Sequence, residues 1–276
     1  MCRIEEGSTN THLSDERIIE EFLKGIEPKY NMSVNKVLNC QFDAESIYVV
    51  AGFISYIVAC SPAAMRIHSE LFRGTVVETA RLLDLHKEIP PPPSQLGGED
   101  LTELLENGKA LINIDEKYPQ AYGVTSVLSS TATFGNSVWE ILINPFKDSP
   151  FFSSDYPVAI EQSGNPAVLN RIVPLTPYLA VRVMPDVQVD RDNLDFSFSN
   201  FRHKRKQLLR SEVRKLNQLF VRCAESVVFF SKMENWVVRF VKRNSQFRIE
   251  LRTKKVPNGE GVLFLFSQEV SEYIYE

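Results

Sequence analysis

The sequence is poor in cysteine, and its four residues, Cys2, Cys40, Cys60 and Cys223, form no C-x-x-C pair. That argues against a zinc knuckle or a dense disulfide framework and leaves reduced thiols, as in a cytoplasmic chain. Long apolar runs are lacking too. The longest, residues 47–60, contains Ser55 and falls short of the roughly 18–20 residues that a spanning helix needs. It reads as a buried helix, so a soluble chain with no membrane span is expected. Residues 1–21 are polar and acidic, so no classical secretion signal is expected and the location is read as cytoplasmic. Also missing are G-x-G-x-x-G, G-x-x-x-x-G-K-[ST], H-E-x-x-H and G-x-S-x-G, the signatures of dinucleotide, triphosphate, zinc-protease and serine-hydrolase sites.

What is present is an ordinary globular balance, 43% hydrophobic and 24% charged residues in 276, enough for a sizeable core. We expect a single α+β domain over residues 1–276, with a helical part at about 14–117, a proline-rich loop at 90–98 and a β-rich part at about 124–276. The net charge of −4 conceals a division: residues 202–255 carry sixteen Lys and Arg against four Glu, while the rest carries fifteen against thirty-one acids. Such a basic segment meets phosphates, as in nucleic-acid binders, or docks against the acidic body of its own fold. The acidic total weighs toward the second, because dedicated nucleic-acid proteins are more often basic overall.

Helical spacing of Ile18, Ile19, Phe22 and Ile26 after Ser14-Asp-Glu16 predicts a first helix over 14–26, and further helices are predicted over 43–60 and, capped by Ser61 with Pro62 at its first position, to about His86. Arg66, Glu70 and Arg73 form a charged stripe on that third helix, read as exposed ion pairs. A short helix is expected over 101–111. Strands are expected at 138–144, 158–160, 171–173 and 179–183, in an antiparallel or mixed sheet. One long amphipathic helix over about 206–228 has the seam Leu209, Val213, Leu216, Phe220, Cys223 and Val227, and residues 247–266 read as a C-terminal hairpin turning at 257–261.

The segment Phe151-Phe-Ser-Ser-Asp-Tyr-Pro-Val158, with Trp139-x-x-Leu142 upstream and Val173-Pro-Leu-Thr-Pro177 downstream, resembles domain-of-unknown-function family 4238. Members carry a Trp strand, a Phe-Ile-Thr-Ser-Asp-Asn-Pro-Val segment and a Pro-Leu-[ST]-Pro segment in that order. The likeness extends to Ala51-Gly-Phe53, Ser61-Pro62 and Arg66, and so covers residues 14–255. It implies a fold class and candidate positions but no reaction. Members usually open with a His-x-Val-Pro-x-x-Tyr-Leu segment that has no counterpart before Glu20, which implies an N-terminally shortened member. Tyr156 stands where the family has Asn, and Cys60 where it has Arg, two losses of polar groups that could serve a ligand.

For chemistry, Ser154 and Asp155 are candidates where Pro157 enforces extended backbone at Tyr156. Asp155 could accept a proton or hold a divalent metal, the one cofactor option the sequence offers; it could equally bond nearby backbone N–H groups and set the bend. Arg81 and His86 match the Arg-x(4–6)-His spacing of HEPN-type ribonucleases, although those are all-helical; a helix C-terminus also favours both residues. Pro185-Asp186 resembles the opening of a restriction-nuclease acid cluster, but no acid-x-Lys follows. Trp139 and Trp236 read as core aromatics. Lys204, Arg205, Lys206, Arg210 and Arg214 are the candidate binding residues for an anionic partner, either nucleic acid or an acidic protein. Two readings result: a binding or regulatory module, as in an accessory component of a defence or stress system, or a nuclease-like phosphodiester hydrolase with Asp155 in its site. Whether the chain is an enzyme stays open at this point.

Overall fold

The computed structural model describes residues 17–90, 95, 97–165, 168–186, 194–258 and 261–273. It opens with α1 (Ile18–Ile26), a 3₁₀ turn, α2 (Tyr30–Leu38), α3 (Ala44–Cys60), α4 (Pro62–Leu85), α5 (Leu101–Glu106) and α6 (Lys117–Gly135). Strands β1 (Val138–Ile143), β2 (Ser153–Ser154), β3 (Ala159–Gln162), β4 (Leu169–Thr176), β5 (Leu179–Met184) and β6 (Arg202–Gln207) follow. The chain then forms α7 (Arg210–Cys223), β7 (Val228–Phe229), α8 (Val237–Asn244) and the hairpin β8 (Phe247–Asn258) and β9 (Gly261–Glu272). The protein is α+β, as its helices-then-strands order predicts.

Local chemistry sets the helix starts. Asp43 accepts the Ser46 N–H while the Ser46 hydroxyl accepts the Asp43 N–H, a reciprocal cap at the start of α3. Ser61 caps α4 with Pro62 in its first turn. The Ser14-Asp-Glu16 start predicted for the first helix lies outside the described residues, as do residues 91–94 and 96 of the proline-rich loop.

Three expectations need correction. The helical part runs to Gly135, because residues 117–135 form α6 rather than the entry to the β-rich half. The long amphipathic helix expected over about 206–228 spans only Arg210–Cys223: Lys206, like Lys204 and Arg205, lies on β6, a sheet-edge strand parallel to β1. The amphipathic seam is accordingly shorter, with Val213, Leu216, Phe220 and Cys223 buried but Leu209 and Val227 exposed.

The five-stranded sheet is mixed, in the order β3-β4-β5-β1-β6, with only the β1–β6 pair parallel. Strand alternation aims the two faces differently. Trp139 meets Phe42 and donates its indole N–H to the Phe134 carbonyl, toward α3 and α6. Lys206 pairs with Glu212, toward α7. Helix α6 approaches α3 closely enough that a Cβ on Gly123 would lie 2.1 Å from the Ala59 carbonyl oxygen, so glycine is required there for the two backbones to touch. Among the described residues, no single helix is long and apolar enough to cross a membrane.

Candidate functional site

The Asp155 segment is built into the core. Tyr156 and Phe152 are fully buried, and the Ser154 hydroxyl accepts the Tyr156 N–H in a two-residue turn. The Asp155 carboxylate accepts the backbone N–H groups of Glu225, Ser226 and Val227 at 3.1, 2.8 and 3.1 Å, and its own N–H donates to the Val227 carbonyl. These are not the nearby amides of a local turn but those of a loop some seventy residues away. Glu225 in turn takes a bidentate pair from Arg66 at 2.7 and 3.0 Å, and Arg66 donates to the Ile249 carbonyl. Arg66 is therefore a half-buried tie between α4, the 225–227 loop and β8, not the exposed charge expected of the stripe. Burial pulls its ionisation down, but the bonds to Glu225 and Glu70 more than offset this and hold it firmly charged.

Arg81 and His86 do not join Asp155. Arg81 is occupied by Glu78 and by Glu106 at 2.8 Å, and His86 is exposed at the α4 C-terminus. Five residues apart, the two point about 140° apart around the helix. Arg66, which reaches the Asp155 loop, lies fifteen residues before Arg81, roughly 22 Å along the axis. Among the described residues, no group of three or more His, Cys, Asp or Glu could hold a metal ion.

The candidate binding residues divide. On β6, Lys204 pairs with the buried Glu140 at 3.3 Å and Lys206 with Glu212 at 2.7 Å, while Arg205 is exposed. Arg210 and Arg214 instead line a groove of about 810 Å³ between α7 and α8. From α8 and the residue before it the groove receives Trp236, Arg239, Phe240 and Arg243. The spacing explains the convergence: Arg210 and Arg214 are four apart, and Trp236, Arg239, Phe240 and Arg243 follow the three-four rhythm of one helix face. Among the described residues of the wall Asp148 is the only acid, bound bidentately by Arg210 at 2.8 and 3.1 Å. Arg210 holds that carboxylate below its usual range, and its own guanidinium lies 4.5 Å from the centre of the Phe146 ring. Arg214, Arg239 and Arg243 have no acidic partner among the described residues.

The family-like segment stands behind this groove rather than in it. Asn217 of α7 accepts the Phe152 N–H and donates to the Pro150 carbonyl, and the Phe152 ring stacks on Trp236 at 5.6 Å. Trp236 is thus half-buried and braced from behind, while also facing the groove. Sequence reasoning reached Arg210 and Arg214 but missed Arg239, Arg243 and the exposed side of Trp236. The available signal was the repeat of Arg-x-x-x-Arg at 210–214 and 239–243 within one basic segment. Tyr156 and Cys60, where the chain departs from the family pattern, are both buried and away from the groove wall.

No family model, no curated protein and no solved structure matches the chain. The resemblance to family 4238 therefore stands on its quoted motifs alone.

Proposed function

We propose that this chain is a binding module that engages a phosphate-bearing anionic partner through the groove between α7 and α8. The observation that carries the reading is the wall itself: four arginines and two aromatic residues against one carboxylate. Guanidinium groups without internal partners are an incomplete arrangement, since each offers a planar fork of donors matched to phosphate. The cations of β6 are a useful contrast, because Lys204 and Lys206 already have acids. Hydrolysis has no comparable support, since the Asp155 oxygens are taken up by three backbone donors.

The test is binding of labelled polyphosphate or heparin across a salt series. Binding should weaken as salt rises, and Arg214→Gln with Arg239→Gln and Arg243→Gln should reduce the log–log slope by about 2–3, near one per lost phosphate contact. Lys204→Gln with Lys206→Gln should change it little. Salt-insensitive binding, or equal losses in both variants, would overturn the assignment of the groove.

A further inference from the structure

The groove carries more than positive charge. All four of its cations are arginine, although the same segment offers Lys204, Lys206, Lys215 and Lys242. Arginine adds stacking on flat π surfaces to phosphate bonding, which lysine cannot do. On each helix the two arginines are one turn apart, about 6 Å along the axis, so α8 offers two neighbouring phosphate sites, while α7 offers Arg214 beside Arg210, whose fork a phosphate would have to take from Asp148. Trp236, with the Phe152 ring stacked on it and Phe240 edge-on at 5.6 Å, supplies an aromatic surface on the groove wall. Gln218 and Asn235 on the wall have side-chain amides without partners among the described residues, and amides can bond base edges.

We infer that the ligand of this groove is a single-stranded nucleic acid, with its phosphates on the two arginine rows and a base stacked on Trp236. The inference rests on the anionic reading above and specifies its ligand. An acidic peptide would satisfy the guanidinium groups, but its carboxylates have no π face to stack on the aromatic surface. A duplex hides its base faces, so it too would leave Trp236 without a partner.

The full chain is titrated with short labelled single-stranded RNA and DNA, with the matching duplex, and with heparin at equal charge, while tryptophan emission is recorded. Trp139 is wholly buried, so a change in emission reports Trp236. Because Trp236 also packs on Phe152, its role is read from emission rather than from deletion. The expected result is quenching by a single strand and binding at least about tenfold tighter than duplex or heparin, the ratio that one stacked base supplies. Both should be lost in Arg239→Gln with Arg243→Gln, whose exposed side chains can change without loss of folding. Heparin and strand binding alike with unchanged emission would overturn the single-strand inference and leave the anionic reading standing. No binding to any polyanion would overturn both.

Discussion

The carboxylate of Asp155 accepts three backbone N–H groups from a loop that is also held by Arg66 through Glu225, by the Asp155 N–H on the Val227 carbonyl and by a two-residue pairing of β7 with β2. Removing it leaves those donors to water or to nothing. Asp155→Ala should lower stability by about 1–3 kcal/mol, measured by urea denaturation. Asp155→Asn should lose less, because one oxygen remains to accept. Neither should alter polyanion affinity, since the groove wall does not include residue 155. A variant of normal stability with weakened binding would place Asp155 in the site instead.

At the scale of elements, α3 depends on its start as well as on its buried length. Asp43 both caps it and pairs with Lys36 at the end of α2. The Lys36 ammonium first, and the Ser46 hydroxyl and N–H next, lower the Asp43 pKa from 3.8 to about 2. A carboxyl with a depressed folded pKa adds stability above its unfolded value, and this is lost as pH falls through the folded one. The α2–α3 junction should therefore loosen between pH 3.8 and about 2, and Asp43→Asn should flatten that part of the stability–pH curve by lowering stability above it, where the carboxylate is charged, with little change below it. Signals of this kind made α3, α4 and the β1, β4 and β5 strands legible in the sequence: a capping residue, a proline at a first turn, an apolar run bounded by breakers. Helix α6 lacked them. Pro119, Gly123 and a series of Ser and Thr residues blur its periodicity, and what stabilises it is close contact with α3, a tertiary effect that outweighs propensity. Strand β6 is Arg-His-Lys-Arg-Lys-Gln, with no apolar alternation to announce it; pairing with β1 and ion pairs to Glu140 and Glu212 make it a strand, and its charges suit a sheet edge.

Across the whole molecule, the charge division seen in the sequence is resolved in two ways. Cations of β6 and β8 meet acids from outside the basic segment, as in Arg202–Asp186, Lys204–Glu140 and Lys255–Glu78. Docking on the protein's own acidic body thus accounts for part of the segment, and the α7–α8 face is what it leaves over. No single stretch of sequence spells that face, since Arg214 and Arg239 are brought together only when α8 folds back beside α7. With a net charge of −4, long-range attraction to a polyanion is weak, so affinity must come from local contacts in the groove. Asp148 sits within those contacts, in the place an incoming phosphate would take on Arg210. Asp148→Asn should free Arg210 and remove a repelling charge, tightening polyphosphate binding by about two- to fivefold, the size of an exposed ion pair. The gain should disappear when Arg210→Gln is added, because the released fork is then absent. A loss of affinity in Asp148→Asn would mean that the pair holds Arg210 in its binding position, and equal gains with and without Arg210 would reduce the role of Asp148 to charge alone.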